Sequence, residues 1–129
     1  MSKEFEHPTE AELEILQVLW NHGPSTVRFV HESLGKHQRV GYTTTLKQMQ
    51  RMFEKEWLVR NEDSKPHYYE AILPEEKVKE SLLQKFVDKT FQGSALDLVM
   101  HALGSSDTTL EELDQLQAWL DEKKKGGRS

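Results

Sequence analysis

Apolar side chains return at three- and four-residue steps along most of this chain, and the pattern gives way to runs of β-formers only between Trp57 and Ile72. Ala11, Ile15, Leu16, Val18, Leu19 and Trp20 make a broad apolar face, the spacing of a helix buried on one side. Thr9-Glu10-Ala11-Glu12 in front of it is a capping box: the Thr9 hydroxyl accepts from the amide three residues on, and Glu12 reaches back to the Thr9 amide. His22-Gly23-Pro24 closes this helix. Ser25 is the expected N-cap of a second, short helix, with Val27, Val30 and Leu34 inside and Gly35 at its end. Tyr42, Thr45, Leu46, Met49, Met52 and Phe53 line one side of a third helix, and Thr43, Thr44, Lys47, Gln48, Gln50 and Arg51 take the rest of its circumference.

Past Lys55, two runs rich in β-formers, Trp57 to Arg60 and His67 to Ile72, flank the polar turn Glu62-Asp63-Ser64-Lys65-Pro66. Three helices followed by a hairpin are the arrangement of a winged helix-turn-helix, so the chain is expected to be mainly α with a β-hairpin wing over residues 1–73. Residues 74–125 carry three further helical patterns: a stripe from Val78 to Phe91, then Leu96 to Leu103 closed by Gly104, then Leu110 to Leu120 capped by Ser106 or Asp107. The basic run from Lys123 is expected to fray into a tail at 126–129.

The charge distribution changes the picture more than the total does. The net charge of −5 opposes a polyanionic partner, yet Lys36, Arg39, Lys47 and Arg51 fall between Ser33 and Phe53 with no acid among them. Within a Debye length of about 8–10 Å it is this local potential that a polyanion feels. A helix entering the major groove needs small or hydrogen-bonding side chains near its start and cations beside them. Thr43, Thr44, Lys47, Gln48 and Arg51 meet that need, which makes them the expected DNA-reading set. Arg28, Lys36 and Arg39, with Arg60, Lys65 and His67 on the wing, are candidates to grip phosphate, a contact that fixes docking without reading sequence. Glu62 and Asp63 weaken the positive potential of that wing.

The absence of cysteine excludes disulfides, thiolate catalysis and cysteine metal sites. The six histidines form no zinc-ligating spacing, and no nucleophile elbow or phosphate loop is present, so neither a metal, a cofactor nor an enzymatic activity is expected. No apolar run is long enough to cross a membrane, and the N-terminus has no apolar core of a signal peptide; a cytoplasmic protein is expected.

The stripes of the last 50 residues are wider than a short helical hairpin would cover by itself. Pairing with a second copy would bury Val78, Leu82, Leu83, Phe86, Val87 and Phe91 together with Leu113, Leu116 and Leu120; folding back on the chain's own domain is the alternative. A two-fold pair would present two third helices to half-sites about 10 base pairs, or a multiple, apart. A winged-helix module that docks an acidic protein without reading DNA sequence is the competing function.

The segments PTEAELEILQVLW, GPSTVRFVHESL, YTTTLKQMQRMFEKEWLVR and KPHYYEAIL, followed by the helical tail, resemble the penicillinase repressors of the BlaI/MecI type. The resemblance implies a homodimeric winged-helix repressor of an operator with dyad symmetry, with the third helix on DNA and the helices from Pro74 onward forming the dimer. It also implies inactivation either through copper on tail cysteines, which this chain lacks, or through cleavage of the tail set off by a membrane-bound sensor protease. His101-Ala102, within LDLVMHALGSS, stands at the cleavage position without the Asn-Phe pair of the cleaved members. Family members often carry Gly where Glu56 stands.

Overall fold

The computed structural model describes residues 7–35 and 40–126. Helices α1 (Glu10–His22), α2 (Val27–Leu34) and α3 (Tyr42–Glu54) precede an antiparallel hairpin of β1 (Leu58–Asn61) and β2 (Tyr68–Ala71), and α4 (Glu75–Thr90), α5 (Ala95–Ser105) and α6 (Leu110–Gly126) follow. The hairpin is in the register Leu58↔Ala71 to Asn61↔Tyr68. This is a mainly helical chain with a winged helix-turn-helix at its front. It divides into two compact units, one reaching to Leu83 and the other starting at Gln84, so that α4 belongs to both.

The first unit is built on Ile15, Leu16 and Leu19 of α1, Val27 and Val30 of α2, Met49 and Met52 of α3, and Trp57, Leu58 and Tyr69 of the hairpin, all buried in one cluster. The Thr9 capping box forms with both of its hydrogen bonds. Glu12 does more than cap, because it is buried in the first turn of α1 and Lys55 Nζ, at the end of α3, donates to its other oxygen at 3.1 Å. Lys55 also sits over the Trp57 ring at 4.3 Å. One carboxylate thus ties the start of α1 to the end of α3. Glu12→Ala removes a cap and a partly buried charged hydrogen bond together, and is expected to lower the unfolding free energy by about 2–3 kcal/mol. A urea titration with an unmoved midpoint would contradict that.

Ser25 does not cap α2. Its hydroxyl donates to Gly23 O, and its backbone exchanges both hydrogen bonds with Tyr69, at 2.9 and 2.8 Å, adding a one-residue bridge to the hairpin. Thr26 caps α2 instead, accepting from the Phe29 amide. The linker between α1 and α2 is thereby stitched to the wing, and Trp20 Nε1, donating to Leu73 O at 3.0 Å, secures the end of that wing.

The exit of α3 is a Schellman turn: Trp57 N–H bonds Met52 O and Glu56 N–H bonds Phe53 O. Glu56 therefore has φ of 67°, the left-handed region that glycine enters freely and other residues at a cost. The turn forms with Glu all the same. Glu56→Gly is expected to raise stability by about 0.5–1 kcal/mol, the relief of this strain less the added chain entropy; thermal melting that shows no gain would mean that the glutamate is already relaxed there.

In the second unit Val87 is buried, α5 runs through Gly104 to Ser105, and α5 and α6 have no buried residue. Two expectations for α6 need correction. Its cap is Thr109, which forms a second capping box with Glu112, and neither Ser106 nor Asp107. Lys123, Lys124 and Lys125 do not fray but supply its last helical turn, where positive charge complements the exposed carbonyls.

Candidate nucleic-acid interface

The face of α3 turned from the core is set by its buried positions. Thr45, Met49 and Met52 point inward. Lys47, Thr43, Gln50, Glu54, Arg51 and Thr44 then lie around the outer arc at 100° per residue, and all six are exposed. The Thr45 hydroxyl is buried without becoming an orphan, because His31 of α2 approaches it at 3.0 Å through Nδ1. The same imidazole meets the Tyr42 ring edge-on, with centroids 6.0 Å apart. These contacts fix the start of α3 against α2 and leave its polar side open.

Four of the five DNA-reading residues expected from the sequence, Thr43, Thr44, Lys47 and Arg51, share that open arc. Gln48 stands apart from them. It flanks Thr45 and Met52, it is half-buried, and its Oε1 is buried with no hydrogen-bond partner among the described residues. Gln50 belongs to the outer arc instead. It is on the polar circumference of the sequence pattern, and 100° steps from Thr45 put it beside Thr43 and Lys47. Glu54 brings an acid to the C-terminal end of the face.

The phosphate-gripping candidates separate further. Arg28 lies on the exposed side of α2, 3.8 Å from Glu32 and 5.0 Å from the Tyr42 ring centroid. Lys65 is exposed in the turn of the hairpin, and His67 is half-buried at its base. Lys36 and Arg39 lie outside the described residues. Arg60 is held from several sides: its guanidinium stacks 4.2 Å from the Phe53 centroid, donates to the Tyr69 hydroxyl at 3.4 Å, and binds Glu62 through Nε at 2.8 Å. The Tyr69 hydroxyl and the Glu62 carboxylate hold Arg60 above its usual pKa, and the Arg60 hydrogen bonds hold the Glu62 carboxyl below its own. A groove of about 500 Å³ runs between α2, α3 and the hairpin, and Arg28, Tyr42, Gln50, Arg60 and His67 are among its walls.

The residues expected at a dimer interface do not behave alike. Val78 and Val87 are buried within the single chain. Leu82, Phe91 and Leu116 are half-buried, with Phe91 against the rings of Phe86 and His101. Leu83, Phe86, Leu113 and Leu120 are exposed, as are Leu96, Met100, Leu110 and Trp119. His101 and Ala102, at the candidate cleavage position, are exposed inside helix α5, where their carbonyls accept from the hydroxyls of Ser105 and Ser106 at 2.8 Å.

Among the described residues no group of His, Asp and Glu could hold a metal ion, and no helix is long and apolar enough to cross a membrane. The sequence profile of the penicillinase repressor family matches residues 8–122. The methicillin resistance regulatory protein MecI of Staphylococcus aureus is 21% identical over 115 residues, spanning 89% of this chain and 94% of that protein. MecI of Mammaliicoccus sciuri gives the same values. The penicillinase repressor of Bacillus licheniformis is 23% identical over 116 residues, 90% of this chain and 91% of the relative.

Proposed function

The chain belongs to the penicillinase repressor family, and from that premise we propose that it represses transcription as a homodimer whose two α3 helices read an inverted repeat in duplex DNA. The observation that carries this reading is the outer arc of α3, where Thr43, Thr44, Lys47, Gln50 and Arg51 stand exposed together while the opposite side is locked into the core. Threonine methyls suit thymine, the glutamine amide suits adenine, and Lys47 or Arg51 suits guanine or phosphate. Gln48, with its oxygen turned inward, serves better as a spacer at the edge of that face than as a base reader. Arg28, Lys65 and His67 are assigned to the phosphate backbone, and Lys36 and Arg39, outside the described residues, are assigned to it from their charge alone.

We assign dimerisation to the helices from Pro74 onward. Leu83 and Phe86 of α4, Leu96 and Met100 of α5 and Leu110, Leu113, Trp119 and Leu120 of α6 are exposed, which supports a second copy as their cover. Occlusion of a promoter by the clamped dimer is then the mechanism of repression, and duplex DNA places its site of action in the cytoplasm. Release by a sensor protease would require α5 to open first at His101-Ala102.

The test is a pull-down of sheared genomic DNA from the encoding organism in the presence of excess unrelated duplex. A repressor retains a few discrete fragments reproducibly. A docking module retains none in preference to the rest, and that result would overturn the proposal.

A further inference from the structure

Arg60 and Glu62 lie two residues apart where β1 runs into the turn of the wing, and their exposure is unequal. The Arg60 side chain is 21% exposed and the Glu62 side chain 53%. Arg60 is held by groups other than Glu62: the Phe53 ring lies under its guanidinium at 4.2 Å, the Tyr69 ring at 5.8 Å, and Nη1 donates to the Tyr69 hydroxyl. These contacts fix the plane of the guanidinium and leave the edge formed by Nε and Nη2 for an anion. Glu62 Oε2 takes both donors of that edge, at 2.8 and 2.5 Å.

We propose that Glu62 acts as an internal stand-in for a DNA phosphate, occupying the anion-binding edge of Arg60 and so limiting how many backbone phosphates the wing engages. The inference deepens the DNA-binding reading and rests on it. Both donors of the fork converge on the one oxygen Oε2, and an anionic phosphate oxygen accepts in the same place, so one replaces the other without moving the fork. The partner that yields is the glutamate, which is half in water and belongs to the turn. The arginine stays stacked. An exposed ion pair is worth little, so Glu62 is displaced readily but still competes. The same guanidinium lines the groove between α2, α3 and the hairpin, the side from which α3 would approach DNA.

The experiment titrates wild type, Glu62→Gln, Arg60→Met and the double variant against one 30-base-pair duplex of arbitrary sequence between 50 and 200 mM salt. Arg60→Met keeps an apolar stem against Phe53 while removing the charge. Glu62→Gln is expected to bind about three- to tenfold more tightly at the lowest salt, with the slope of log affinity against log salt steeper by about one. The gain should vanish when Arg60 is also replaced. Unchanged binding by Glu62→Gln overturns the proposal, as does a gain that persists beside Arg60→Met, which would make Glu62 a general repellent of DNA. If Arg60→Met does not fold, Asp63→Asn is the control: this neighbouring exposed acid makes no bond to Arg60, and a gain from it equal to that of Glu62→Gln overturns the proposal. Salt-sensitive binding by wild type without the Glu62→Gln gain removes this inference only, whereas a wild type that binds no duplex at 50 mM salt removes the DNA-binding reading and this inference with it.

Discussion

Lys47→Ala and Arg51→Ala should each weaken binding to a specific duplex by about 1–3 kcal/mol, the range expected when a side chain making a bidentate base contact is truncated, without altering the melting temperature. Both residues are exposed on the outer arc of α3 and support no core contact, so the folded chain has nothing to lose with them. The two variants also separate kinds of contact. If Arg51 reads a base, its loss relaxes preference at one position of the half-site; if it grips phosphate, all sequences weaken alike and the salt slope falls by about one. Unchanged affinity in both variants, measured by fluorescence anisotropy, would remove α3 as the reading helix.

Replacing Leu83 and Phe86 together with glutamate is expected to yield monomers in sedimentation equilibrium. Both side chains are about half exposed on α4, at 53% and 49%, between the buried Val78 and Val87. A charge there is not forced into the chain's own core, and it would break a dimer seam that runs through these positions. Loss of the pair should cost DNA binding more than any single base contact. Two linked modules gain about 10²–10⁴ in affinity over one, and a monomer engages one half-site only. Affinity for an inverted repeat should accordingly fall at least about a hundredfold. A dimer that survives both charges would put the interface elsewhere, with the exposed Leu110, Leu113, Trp119 and Leu120 of α6 the next place to look.

The contrast between what was legible in the sequence and what was not follows the range of the interactions. The capping box at Thr9 was readable because its partners are three residues apart, and the apolar steps of α1 to α3 and the turn of the wing are equally local. Thr109-Leu110-Glu111-Glu112 carries the same signal for α6, and giving weight to Ser106 and Asp107 passed over it. Ser25 could not be read correctly from its neighbours, since what takes it out of the capping role is Tyr69, met across the fold by two backbone hydrogen bonds. Gln48 and Gln50 look alike as residues, yet 100° steps from Thr45 and Met52, both on the apolar side of the sequence pattern, tell which one turns inward. The pairing of Arg60 with Glu62 depends on Phe53 and Tyr69 stacking the arginine, a constraint assembled from three elements. The acids of the wing were visible as a weakening of its positive field; that one of them is bonded to the stacked arginine was not.

The central claim is that a symmetric pair of α3 helices reads sequence. Selection of bound duplexes from a random DNA pool at about 150 mM salt, where non-specific binding is already weak, tests it most directly. The account predicts enrichment of an inverted repeat whose half-sites are spaced by whole helical turns, about 10 base pairs or a multiple. A folded protein that enriches no motif, or enriches a single half-site without symmetry, would contradict it.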